Sequence, residues 1–259
     1  MRLTRSKLPL AAVAAGLAAA VSLSGCAYNE ALGRSQVLLV DEGSLTQAAA
    51  SAWSQTLSRQ RLSTDPVLNR RVTNVGQRLV QAAGAGNQAW EYRVFVNDQP
   101  NAFVLPGGKV GVNTGLFKVV QNDDQLAAVI GHEIAHTTAR HAAERYSQTA
   151  LAQVGLGVAQ SAAGRASPTF GRAISTFGGA GAQLGYLLPF SRQHELEADR
   201  IGVDYMARAG FRPSEAVTLW RGMQSQRTRA SAPQFLSTHP SDETRIAQLE
   251  AYVRSRGYN

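Results

Sequence analysis

Two histidines four residues apart, with a glutamate between them, form the string His132-Glu133-Ile134-Ala135-His136. On a helix such residues stand one turn apart on the same face, so both imidazoles can reach one metal ion while the glutamate projects beside it. The chemistry this implies is metal-assisted hydrolysis, in which the histidines bind metal and the glutamate handles a proton. A helix can also carry such a string without binding anything. Here Val129, Ile130, Ile134 and Ala135 make the helix apolar, and a buried Glu and two buried His are costly without a partner. A metal ion meets that need.

A catalytic zinc usually takes three protein ligands and leaves one position open, so a third ligand must come from elsewhere. The extended pattern HExxHxxGxxH would put glycine at position 139 and histidine at position 142, but both are alanine, and His141 falls one residue early on the wrong face. The other option is a carboxylate from a second helix. The stretch from Ser191 to Asp199 offers Glu195 and Asp199, four apart on one face, while Glu197 points away from both. His141 and His194 lie next to these two stretches but off the inferred metal face, and read as peripheral.

The periodicities predict an α+β fold, mostly helical, with a small β-sheet or hairpin ahead of the motif helix. Ser44 to Arg61 reads as one helix. Asp65-Pro66 opens a second, an N-cap followed by proline at the first helical position, with Val67, Leu68, Val72, Val75 and Leu79 as its buried stripe. Trp90 to Asn97 alternates; Asn101 to Leu105 and Lys109 to Asn113 are further short strands, turned by Gly107-Gly108. An open strand edge at Asn101, Ala102, Phe103 and Val104 can align an extended peptide over the metal by main-chain hydrogen bonds, with a purely structural hairpin as the alternative. Asp123 or Asp124 caps the motif helix, which runs to about Tyr146. From Ser147 to Leu188 the chain is dominated by Gly, Ala and Ser, with Pro168 and Gly171 in the middle. It reads as one or two loosely packed helices beside the cleft, membrane contact being the alternative. His239, followed by proline, lies in a loop before a capped helix from about Ser241 to Arg254, where a histidine is by default merely exposed.

The ends of the 259-residue chain differ in kind. Arg2, Arg5 and Lys7 precede an uncharged stretch from Leu8 to Val21, and Leu23-Ser24-Gly25 leads into Cys26, the one cysteine of the chain. Residues 1–25 therefore read as an export signal and not as structure. A lone thiol in an exported protein has no disulfide partner, and the segment resembles a lipoprotein signal in which Cys26 carries the lipid. Residues 26–43 are then a lipidated tether and 44–259 the catalytic domain. Ala27 stands where an aspartate tends to retain lipoproteins at the inner membrane, which favours the periplasmic face of the outer membrane. Removing the three basic residues of the signal lowers the net charge of +8 to +5, and the remaining Arg is spread out, so nucleic acid is excluded as a partner.

Together, Asn101 to Gly108, the motif helix, Leu188-Pro189-Phe190-Ser191-Arg192 with Glu195, Ala198 and Asp199, and Thr238-His239-Pro240 resemble the gluzincin zinc metallopeptidases that include HtpX and the CaaX prenyl protease. The likeness is to the small periplasmic lipoprotein branch represented by LoiP and to the protease domain of BepA. It implies one Zn2+ per chain on His132, His136 and Glu195, with Asp199 orienting a ligand histidine and Glu133 as general base. It leaves His239 either as a fourth ligand that must leave or as a donor to the oxyanion. It further implies polypeptide substrates, above all unfolded envelope proteins, and contact with outer-membrane assembly machinery. The alternative is a chaperone or assembly factor whose site His239 keeps shut.

Overall fold

Short polar caps and apolar stripes set most of the helices. The computed structural model describes residues 26–162, 191–225, 235–240 and 242–258. The expected export signal lies outside the described residues, as does much of the Gly/Ala-rich stretch; among the described residues no helix is long and apolar enough to cross a membrane.

Helix α1 (Glu42–Arg59) and helix α2 (Pro66–Ala82) follow one another, α2 capped by the Asp65 carboxylate, which accepts from the Val67 and Leu68 amides. Three strands come next: β3 (Glu91–Phe95), β4 (Ala102–Leu105) and β5 (Lys109–Asn113). Their order is β3-β5-β4, with β3 parallel and β4 antiparallel to β5. Gly107 and Gly108, at φ of 80° and 76°, supply the left-handed backbone that closes the β4–β5 hairpin. Strand β4 therefore sits at an edge of the sheet. Trp53 of α1 packs edge-on against Phe95 and Phe103, tying α1 to the sheet in a small apolar cluster of its own.

The motif helix, α3 (Asp123–Thr138), crosses the centre of the molecule, and every residue from Gln125 to His136 is buried. Its cap is Asn122, whose side chain accepts from the Gln125 amide. Asp123 and Asp124, expected to cap it, instead occupy its first turn, where negative charge suits the helix dipole. Nor does α3 run to Tyr146. It stops at Thr138, Arg140 takes a φ of 57°, and a new helix, α4 (His141–Ala162), leaves in another direction.

Helix α5 (Arg192–Arg208) packs along α3, followed by α6 (Ser214–Ser225), a single turn at Phe235–Thr238, and α7 (Glu243–Ser255). The α3–α5 crossing is close because glycine meets glycine: a Cβ on Gly202 would lie 3.0 Å from the His132 amide nitrogen and one on Gly131 3.3 Å from the Gly202 carbonyl oxygen. Backbone cannot yield as a flexible side chain can. Gly202→Val is expected to cost about 1–3 kcal/mol, read as a lowered melting temperature, whereas Gly222→Ala, whose Cβ would meet open space, leaves the melting temperature at or slightly above that of the wild type.

The stretch expected as a tether holds structure of its own. Strand β1 (Cys26–Asn29) and strand β2 (Arg34–Val37) pair antiparallel and dock on the body. The Gln36 side-chain amide donates to the Ala139 carbonyl at 2.8 Å, capping the C-terminal end of the motif helix. Polar contacts hold this hairpin, so hydrophobic periodicity carries no sign of it.

Candidate active site

Helix α3 presents His132, Glu133 and His136, α5 presents Glu195 and Asp199, and the turn before α7 presents His239; all six are buried. The Nε2 atoms of His132 and His136 are 3.0 Å apart, Nε2 of His132 lies 3.3 Å from Glu195 Oε2, and His136 Nε2 lies 3.4 Å from Glu195 Oε1. His239 joins them, its Nδ1 3.1 Å from Glu195 Oε1 and 3.3 Å from His132 Nε2. Ligand atoms of His132, His136, Glu195 and His239 all fall within 4.8 Å of one another, a grouping that could hold a metal ion. Glu133 stands outside that group, with Oε1 3.1 Å from His239 Nε2.

A shell of buried charge surrounds the donors. Asp199 Oδ1 lies 2.9 Å from His132 Nδ1. Arg245 of α7 donates to both Asp199 oxygens, at 2.6 and 2.8 Å, and pairs with Glu195 Oε2 at 2.7 Å, while its guanidinium carbon sits 4.4 Å from the Trp220 ring centre. This pairing decides the ionisation. Burial alone would raise both carboxyls; Arg245 holds Asp199 below the usual aspartate range, and Arg245 with the neighbouring imidazoles holds Glu195 well below the glutamate range. Burial likewise disfavours the His132 cation, yet hydrogen bonds to Asp199 and Glu195 outweigh it and raise that ring to about 9. His136 is pushed well below its ordinary value by burial, and Glu133 is pushed up by burial against the nearby imidazole charges.

A cleft of about 790 Å3 opens onto these residues. Edge strand β4 forms one side, helix α1 another, and Glu133, His136 and His239 reach its surface. Asn101, Ala102, Phe103 and Val104 all line it, and the Val104 amide donates to the Glu133 carboxylate.

Residues 66–253 match Peptidase family M48. The chain belongs to that family. It is 39% identical over 183 residues to the mitochondrial metalloendopeptidase OMA1 of Schizosaccharomyces pombe, covering 70% of this chain and 52% of that protein. To OMA1 of Saccharomyces cerevisiae it is 34% identical over 226 residues, 78% of this chain and 61% of the relative. To the beta-barrel assembly-enhancing protease of Escherichia coli K12 it is 36% identical over 192 residues, 72% of this chain and 39% of the relative. The chain thus spans between 39% and 61% of the lengths of these relatives.

The M48 match accords with the resemblance read from the sequence, and the structure brings the expected residues His132, His136, Glu195 and His239 together, with Asp199 beside His132. Other residues of this cluster were not foreseen. Arg245 carries a detectable signal, because it falls on the buried stripe of α7 with Ile246, Leu249 and Val253, where a lone charge needs a partner. His141 and His194, expected to be peripheral, are buried. The break at Arg140 swings His141 back until its Nδ1 lies 3.0 Å from His136 Nδ1, a placement a continuous helix forbids. His194 stacks on His141 with ring centres 4.5 Å apart. Glu197 does face away from Glu195, but it is buried and ion-paired with the half-buried Arg34. Cys26 is exposed at the start of β1.

Proposed function

We propose that this M48 chain is a zinc metalloendopeptidase acting on unfolded or unassembled envelope polypeptides, held by lipid on Cys26 at the periplasmic face of the outer membrane. The observation that carries the reading is the convergence of His132, His136 and Glu195 beside Glu133, under a cleft with an open strand edge. Two imidazoles and a carboxylate are a catalytic zinc donor set with one position to spare. Bound there, zinc supplies a Lewis acid that polarises a peptide carbonyl and acidifies water. With zinc held there, Glu133 would take a proton from water and pass it to the leaving amine. Asp199 Oδ1, 2.9 Å from His132 Nδ1, is the carboxylate that would orient this ring with Nε2 toward the donor group.

Substrate class follows from the cleft. Strand β4, with Asn101 just before it, lines the cleft with Asn101, Ala102, Phe103 and Val104 as an edge for an extended main chain, the Val104 amide being held by Glu133, and a segment must be unfolded to pair with it. Similarity to the beta-barrel assembly-enhancing protease supports a role in outer-membrane protein quality control and contact with its assembly machinery. The test is cleavage of an unfolded β-barrel precursor. A chelator should abolish it and added zinc restore it; cleavage undiminished after metal removal overturns the reading.

His239 favours a second reading, in which the site is latched or serves as a non-proteolytic assembly factor. Its ring contacts His132, Glu195 and Glu133 at 3.1–3.3 Å, so with zinc held by the other donors it would stand in the way of water and the substrate carbonyl. His239→Ala is expected to retain zinc and raise peptide hydrolysis. A fall in turnover with zinc retained would instead make His239 a donor to the oxyanion.

A further inference from the structure

The ring of His136 has a partner on its far side that the reaction itself does not use. His141 is fully buried, with Nδ1 3.0 Å from His136 Nδ1 and Nε2 3.1 Å from Glu197 Oε2. Glu197 also accepts from Arg34 Nε at 2.6 Å, Arg34 Nη2 at 2.8 Å and Gln193 Nε2 at 3.0 Å. A carboxylate beside a guanidinium is ionised and can only accept, so the proton between it and His141 sits on His141 Nε2. A neutral His141 then offers a lone pair at Nδ1. His136 must donate from its own Nδ1, which leaves the His136 Nε2 lone pair facing His132 and Glu195.

We propose that His141 is a positioning residue which, held by Glu197 and Arg34, sets the tautomer and ring angle of His136 for metal binding. Asp199 and Arg245 do the equivalent for His132 from the opposite side. Two features of this chain make the arrangement. The left-handed Arg140 ends α3 early and returns His141 toward the ligand one turn behind it. The N-terminal hairpin supplies Arg34, whose other edge donates to Glu144 at 2.7 and 2.9 Å, and Gln36, which donates to Glu144 at 2.7 Å. Arg34 and Gln36 of the strand paired with the one that Cys26 begins thus form part of the support of the metal site, so that its metal affinity depends on a docked hairpin.

The inference rests on the zinc reading, and the experiment separates the two. Full-length protein in detergent is titrated with zinc against a chromophoric chelator, for the wild type, His141→Ala, His141→Asn and Arg34→Met, with circular dichroism to verify folding. His141→Ala should weaken zinc binding by about 10–100-fold, the range for loss of a ligand-orienting partner. His141→Asn should recover part of that loss, because its amide oxygen can accept from His136 Nδ1 while contributing little to packing. Arg34→Met should weaken binding in the same direction by a smaller factor. In the cobalt-substituted protein the visible bands should shift in His141→Ala and less in His141→Asn. Wild-type zinc affinity in His141→Ala, or His141→Asn no better than His141→Ala, overturns the positioning role. If His141→Ala does not fold, unchanged affinity in both His141→Asn and Arg34→Met overturns it. A wild type that binds no zinc overturns the zinc reading and this inference together.

Discussion

Glu133→Gln is expected to leave the metal in place and reduce peptide hydrolysis by about 10²–10⁴-fold, the range for removal of a general acid–base. The substitution keeps volume and hydrogen-bonding reach while removing the ability to accept a proton from water. Metal should remain, because Glu133 lies outside the group of His132, His136, Glu195 and His239 whose donor atoms converge. Its environment suits the role: burial raises its affinity for a proton, bringing it closer to the range in which a carboxylate can take a proton and return it near neutral pH. The measurement pairs kcat on an unfolded polypeptide with metal content of the same sample. Continued processing of clients by Glu133→Gln would defeat the protease reading and leave the assembly-factor reading standing. Zinc lost along with activity would instead place Glu133 among the ligands.

The second large effect is on stability. Arg245→Met removes the cation that compensates two buried carboxylates, Asp199 and Glu195, and should cost about 3–5 kcal/mol, the range for breaking one side of a buried ion pair. Methionine retains much of the aliphatic stem, so the loss reports charge more than packing against Trp220. Zinc discriminates between the two carboxylates. Bound ion would neutralise Glu195 but not reach Asp199, so saturating zinc should recover part of the stability. Denaturant unfolding with and without zinc reads both effects. A loss below about 1 kcal/mol, the size typical of an exposed pair, would show that Arg245 does not compensate buried charge in solution.

The two variants also divide the site by what each residue touches. Glu133 faces the cleft and acts on what enters it; Arg245 faces the core and acts through Asp199 and Glu195. One change should therefore leave folding intact and the other should leave the proton chemistry intact in whatever fraction still folds.

Much of the site was legible before any fold was known, because its chemistry depends on residue types at helical spacing. His132 and His136 share a face by the pitch of the helix alone, and Glu195 and Asp199 do the same on theirs. Absence of glycine and histidine at positions 139 and 142 was enough to turn the search for a third ligand to another helix. Strand β4 was legible from its composition and the paired glycines after it, although its place at the edge depends on β3 pairing parallel with β5 across the sheet. Motif and caps thus account for which side chains can do chemistry.

What surrounds them was decided only in three dimensions. The end of α3 turns on one left-handed residue, Arg140, and arginine carries no preference that announces it. From that turn follows the approach of His141 to His136, and with it the burial of Glu197 against Arg34. Arg245 reaches Asp199 from 46 residues away, and Arg34 reaches Glu197 from 163, distances over which no local pattern operates. Helical spacing in the sequence determines which groups face a common point. Long-range ion pairing between buried charges, which depends on where whole elements dock, decides how those groups are ionised and held.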